Sequence, residues 1–220
     1  KVSYLEGERK SNGVYKGKDH CLLEEIKEPD KESLEENLEA IHTFHAAHEN
    51  IPVYMCLVPN AANVWEDKLP ALAVVRNQDE QLAYVQKKLE GETNWVDMKK
   101  NLVKHKEQDI YYRTDHHWTT LGAFYGYQAF AQAAGLDTKK AEGMKPYAAA
   151  GGFNGTLSSM SGYETGYEEP MYFYYSDEMP EVVLQYVQQQ TKTATWYDSS
   201  KLKEKDKYAM FLGGNYPLID

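Results

Sequence analysis

Residues 51–59 constrain the fold of this chain more than any other stretch. Val53-Tyr54-Met55-Cys56-Leu57-Val58 is an unbroken apolar run ending in Pro59-Asn60, as expected of a strand buried on both faces of a parallel sheet. A helix is expected before it. Pro29-Asp30 open the segment, Ser33-x-x-Glu36 has the form of a capping box, and Leu34, Leu38, Ile41 and His45 recur at helical spacing. Residues 77–89 repeat the helical pattern, with Leu82, Val85 and Leu89 on one face. A short strand over 94–97, a short helix over 99–105 and another strand over 110–112 follow. Thr119 or Thr120 caps the next helix, which runs through Phe124, Tyr127 and Phe130 to Ala134 before Gly135 stops it.

Helix and strand thus alternate up to Leu136. That order predicts an α/β domain whose parallel sheet is covered by helices. Beyond Leu136 the texture changes. Gly151-Gly152-Phe153-Asn154-Gly155 reads as a loop, and residues 171–175, 182–188 and 208–212 read as strands. The expected organisation is one domain over 1–220: an α/β core over 1–136, a β-rich insertion over 137–207, and a return to the core over 208–220.

A formal charge of −10 with no basic stripe argues against nucleic acid as a partner. No apolar run reaches the length needed to cross a bilayer. The chain opens at Lys1 with neither methionine nor signal segment, which reads as a mature or trimmed segment. The 18 tyrosines fit either sheet packing or clefts for polar ligands, since each ring joins an apolar face to a hydroxyl. Cys56 sits inside the apolar run as a small hydrophobe, and a disulfide with Cys21 is allowed outside the cytoplasm.

Chemistry concentrates in Tyr111-Tyr112-Arg113-Thr114-Asp115-His116-His117-Trp118-Thr119-Thr120. In open α/β sheets, ligands bind beyond the carboxyl ends of strands, where both this segment and Asn60 fall. A carboxylate two residues before a histidine can hold one imidazole nitrogen and leave the other as a base. A metal site and a structural polar loop are the alternatives. Adjacent histidines on a strand would point to opposite faces, so a metal would need a further ligand such as His20 or His105. Ser158, Ser159 and Ser161 follow a glycine-rich loop but lack a strand-to-helix elbow, so turn chemistry or cleft lining suits them better than nucleophilic attack.

The segment from Tyr112 to Ala123 closely resembles the signature of the DHHW family, a branch of the SGNH-hydrolase-like proteins related to the bacterial alginate O-acetyltransferases. Asn12-Gly13-Val14-Tyr15-Lys16-Gly17-Lys18-Asp19, Val58-Pro59-Asn60-Ala61-Ala62, Lys68-Leu69-Pro70 and Phe211-Leu212-Gly213-Gly214-Asn215 are similar to further family segments. The resemblance implies a three-layer, flavodoxin-like α/β domain with a Ser-His-Asp triad. Asp115 and His117 match its aspartate and histidine. The family's serine follows the Gly-Gly-Asn stretch and is expected past Asp220, together with the final nucleophile strand.

Trp118 is expected to pack behind the histidine or line the acceptor cleft, with Tyr112, Arg113, Asn60 and Asn215 as further substrate-binding candidates. The implied protein is an extracytoplasmic O-acetyltransferase or acetylesterase acting on a cell-surface glycan. It would use an acyl donor, with a membrane-bound acyl-transfer partner and with no metal or organic cofactor. A non-catalytic glycan-binding or scaffold protein is the alternative.

Overall fold

The computed structural model describes residues 10–220, which fall into two compact units. The first runs to Thr138 and also includes Thr156–Gly166; the second comprises Lys139–Gly155 and Tyr167–Asp220.

The first unit opens with an antiparallel meander, β1 (Lys10–Ser11), β2 (Val14–Lys16) and β3 (Leu22–Glu24). Asn12 and Gly13 form its first turn at φ 48° and 76°, the left-handed pair that a two-residue hairpin requires. Helix α1 (Lys31–Ala47) follows. Its cap is Asp30, whose carboxylate accepts the Ser33 N–H at 2.9 Å, and not the expected Ser33 box. The serine supplies the third amide of the first turn instead of the capping oxygen.

Strand β4 (Tyr54–Met55) pairs in parallel with β5 (Asn94–Trp95). Side chains alternate across this pair, so it is covered on both faces. Met55, Leu57 and Trp95 pack with Leu34, Leu38 and Ile41 of α1 and with Val85 and Leu89 at helix α3 (Gln78–Lys88). Tyr54 turns the other way, onto Phe130 of helix α5 (Thr120–Ala134), with ring centroids 5.5 Å apart. This is the layered α/β arrangement expected. Two short helices, α2 (Ala61–Val64) and α4 (Met98–Val103), complete the core around Trp65, Leu102, Ile110 and Tyr111. Each of these buried side chains contributes about 1.5–3 kcal/mol relative to exposure.

Residues 110–112 do not join that parallel ladder. Thr119 N–H bonds the Ile110 carbonyl, Tyr111 bridges Trp118 in antiparallel sense, and Tyr112 N–H bonds the His117 carbonyl at 3.1 Å. The Ile110 carbonyl and the Tyr112 amide are thus used within this local hairpin. Cys21 and Cys56 are not joined; Cys21 is buried and Cys56 half-buried. Among the described residues no helix is long and apolar enough to cross a membrane.

The second unit holds α6 (Lys139–Glu142), β6 (Lys145–Phe153), β7 (Glu169–Tyr175), β8 (Leu184–Tyr186) and β9 (Thr191–Thr193). Strand β6 runs through Gly151-Gly152, where a loop was expected. Its register against β7 shifts between Ala148 and Ala150 and again before Phe153. Glycine inside a strand often marks such bulges. The expected strand over 208–212 is a 3-10 turn (Lys207–Met210) followed by a single bridge from Phe211 to Tyr197. Residues 208–220, assigned to the core on sequence, bond within this unit: Asp198 N–H to Met210 O at 2.8 Å and Asp220 N–H to Gln185 O at 2.9 Å.

Between β6 and β7 the chain passes through helix α7 (Thr156–Ser161), which belongs to the first unit. Its Leu157 is buried with Val14 and Leu22.

Candidate active site

The site is built on the loop that the 110–119 hairpin closes. Asp115 Oδ1 accepts the His117 backbone N–H at 3.0 Å, an Asx-type turn in which a side chain bonds the backbone two residues on. The same turn brings His117 Nδ1 to 2.5 Å from that oxygen. The D-x-H spacing therefore performs two tasks with one carboxylate: it fixes the turn and it orients the ring. Asp115 Oδ2 accepts Thr156 N–H at 2.8 Å, so α7 closes the other side.

Asp115 is buried, at 3% exposure, whereas the His117 side chain keeps 38%. Burial alone would raise the Asp115 pKa. The His117 ring, then the Thr156 and His117 amides, outweigh it and hold the carboxyl well below the usual carboxylate range. An ionised carboxylate only accepts, so the proton between them sits on Nδ1 and Nε2 is the basic atom.

The His116 ring lies beside that of His117, with centroids 4.0 Å apart, and its Nδ1 is 3.8 Å from Asp115 Oδ1. The two histidines were expected on opposite faces. They sit on a turn and not on a strand, so alternation does not apply. Asp115, His116 and His117 together offer three ligand atoms within 4.8 Å of one another, a set able to hold a metal ion. In this geometry the Asp115 oxygens already serve Nδ1 and two amides.

The other sequence candidates divide by what they touch. Arg113 donates to the Asp19 carbonyl and to the Asp109 carboxylate, both at 2.7 Å, and its own carbonyl accepts Leu22 N–H; it ties the loop to the meander. Tyr112 is buried at 1%. Asn60 caps α2, accepting Ala62 N–H at 2.8 Å, and Tyr111 donates its hydroxyl to the neighbouring Pro59 carbonyl at 2.7 Å. That last bond ties the loop after β4 to the site hairpin. Asn215 lies in the second unit, after Gly213 and Gly214 at φ 76° and 122°.

Trp118 lies on α5. A Cβ on Gly126 would stand 2.7 Å from its ring, and one on Gly122 would stand 2.1 Å from the Ile110 carbonyl. The Gly122-x-x-x-Gly126 spacing carried that signal, and the sequence reading passed over it. Nothing in the sequence marks Thr156, whose amide arrives from 41 residues away. The hydroxyls of Ser158 and Ser161 donate to the Tyr163 and Leu157 carbonyls, which is turn chemistry.

Residues 14–212 match the profile described as the SGNH hydrolase-like domain of the acetyltransferase AlgX. The chain belongs to the AlgX SGNH hydrolase-like family. Solved structures agree on the fold. A DHHW family protein from Eubacterium siraeum superposes with a TM-score of 0.74 at 21% identity, covering 94% of this chain and 70% of that one. Bacillus cereus PatB1, with a sulfonyl adduct, gives 0.68 at 21% identity over 94% of this chain and 71% of that one. The O-acetyltransferase domain of Pseudomonas putida AlgJ gives 0.52 at 18% identity over 74% and 63%. No curated protein sequence matches this member of the AlgX family.

Proposed function

We propose that Asp115 and His117 are two members of a Ser-His-Asp triad in an extracytoplasmic O-acetyltransferase or acetylesterase that modifies a cell-surface glycan. The observation that carries this reading is the 2.5 Å contact between a buried, ionised carboxylate and a half-exposed imidazole. Membership of an acetyltransferase family supplies the reaction class.

The nucleophile in this reading is a serine outside residues 1–220. Its oxygen attacks the carbonyl of an acyl donor while His117 Nε2 takes its proton. The serine–acyl bond forms, the donor's leaving group departs, and the imidazolium returns the proton to it. Asp115 stabilises the imidazolium without accepting its proton. In the second half-reaction His117 deprotonates a sugar hydroxyl or water. That oxygen takes the acyl group, and the serine recovers its proton. Trp118, Tyr112, Arg113 and Asn60 are the proposed acceptor-side residues, Asn215 is a further candidate proposed on the family resemblance alone, and a membrane-bound acyl-transfer partner would deliver the donor.

The test is turnover of an acetyl ester by a polypeptide that includes the serine, before and after His117→Ala. A sulfonyl fluoride should label that serine and leave Ser158, Ser159 and Ser161 of this chain unmodified, as read by mass spectrometry. Turnover indifferent to His117 would sink the triad.

One feature favours the second reading, a glycan-binding module. Tyr147, Phe173 and Tyr175 stand together across β6 and β7, with Tyr147 and Tyr175 each 46% exposed. Glycan binding that survives His117→Ala and fails in Tyr147→Ala, without any turnover, would select it.

A further inference from the structure

Asp115 stands beside two histidines, and nothing in its own side chain chooses between them. Oδ1 is 2.5 Å from Nδ1 of His117 and 3.8 Å from Nδ1 of His116, and the two rings lie together with centroids 4.0 Å apart. The torsion that turns a carboxylate is broad and roughly two-fold, so it sets no preferred plane. The His117 ring and the His117 amide both use Oδ1. A carboxylate held through one oxygen still pivots about it.

The bond to Oδ2 stops that pivot. Oδ2 accepts the Thr156 N–H at 2.8 Å, and with each oxygen held by a separate donor the plane is fixed. Burial works to protonate Asp115. Among the bonds that oppose it, the Thr156 amide ranks behind the His117 ring and ahead of the His117 amide.

The amide can do this because its helix is anchored. First-turn amides of a helix have no partner within it. In α7 two of them turn to the site loop, Thr156 N–H to the Asp115 carboxylate and Ser158 N–H to the Thr114 carbonyl at 3.2 Å. Leu157 between them is buried with Val14 and Leu22 of the meander. Ser11 Oγ donates to the Ser161 carbonyl at 2.9 Å, and Asn12 Nδ2 donates to the Met160 carbonyl at 2.7 Å. The site loop is tied to the same meander, by Leu22 N–H to the Arg113 carbonyl and by Arg113 to the Asp19 carbonyl, both at 2.7 Å. Loop and helix therefore share one support. The Thr156 side chain itself is exposed, and its backbone alone makes the bond.

We propose that Thr156 is a positioning residue: its amide holds the Asp115 carboxylate toward His117 and away from His116, and so selects which of two adjacent imidazoles is the base. The proposal rests on the reading of Asp115 and His117 as triad members.

The test deletes one N–H. Thr156 is the first residue of α7, a position that suits proline because its amide has no helical partner, so Thr156→Pro removes the donor and little else. Nitrogen–proton correlation spectra of the isotope-labelled chain, recorded where both rings are neutral, read the tautomers. The parent should carry the His117 proton on Nδ1. Thr156→Pro should move a share of it to Nε2 and give His116 a share of Nδ1–H, whereas Thr156→Ala, which keeps the amide, should show the parental pattern.

In a polypeptide carrying the serine, Thr156→Pro should lower kcat roughly 10²-fold with KM little changed. It should cost nothing further once His117 is replaced by alanine, because both changes act through one base. An unaltered His117 tautomer with full turnover in Thr156→Pro overturns the proposal and leaves the triad standing. So does a loss that adds in full to that of His117→Ala, which would mark a merely structural role. Turnover indifferent to His117 sinks the triad by itself, and the spectra, which need no turnover, still support or overturn the positioning. If the proline variant melts below the assay temperature, an ester in place of the Gly155–Thr156 peptide bond deletes the same N–H and keeps the side chain.

Discussion

Gly126 leaves room on α5 for the Trp118 ring, which would otherwise meet a Cβ at 2.7 Å. The indole follows His117 directly, so its seat on the helix sets the exit direction of the Asp115–His117 turn. Gly126→Ala should cost about 1–3 kcal/mol by overpacking, although alanine is the better helix former. Gly122→Ala should cost more, because the opposing atom is the Ile110 backbone carbonyl and not a side chain that can shift. Thermal melts of the two variants check this order.

Asp115→Asn should lower stability at neutral pH by about 1–3 kcal/mol, since the ring and two amides lose a charged acceptor. The folded-state pKa of Asp115 lies below its unfolded value of about 3.9. Its stabilising contribution is therefore present above that value and is lost as pH falls through the folded pKa. Denaturation curves should show parent and variant converging below about pH 4. A constant gap down to pH 2 would refute the charge-assisted bond.

In a polypeptide carrying the serine, His117→Ala should reduce kcat/KM by roughly 10³-fold or more, and Asp115→Ala by a comparable factor. His116→Ala should cost far less, because His116 stands 3.8 Å from the carboxylate that His117 holds at 2.5 Å. Steady-state kinetics on an acetyl ester separate the two histidines.

Dialysis against a chelator should leave that turnover unchanged. Both Asp115 oxygens are engaged by Nδ1 and amide donors, so recruiting the carboxylate to a metal would disrupt the bond that orients His117. Loss of activity restored by zinc would instead assign the Asp115, His116 and His117 set to a metal.

Tyr111→Phe should cost about 1 kcal/mol by removing the hydroxyl bond to the Pro59 carbonyl. It should also speed hydrogen exchange in the loop around Asn60, which that bond ties to the hairpin.

The alternation of helices and strands was legible because its signals are local. Buried apolar runs, the cap at Thr119 and the stop at Gly135 all act within a turn or two of themselves. The Asp115–His117 pairing was legible for the same reason, since an aspartate reaches the amide and ring two residues on through a single turn. Residues 110–112 were misassigned to a parallel strand because strand propensity says nothing about which backbone groups they will pair with. The partners turned out to be residues 117–119, close by in the chain but antiparallel. Strand β6 was missed because Gly151-Gly152 read as a break, whereas the pairing with β7 absorbs them as an irregularity in register.

The sequence by itself determined the order of helices and strands, the capped start and glycine stop of α5, and the carboxylate–imidazole pair, because the signal for each lies within a few residues. The tertiary structure alone decided that Thr156 closes the far oxygen of Asp115 and that Arg113 reaches Asp19 across 94 residues. Those contacts depend on where folding brings distant segments. Long-range placement follows from the packing of whole faces, and no local residue pattern encodes it.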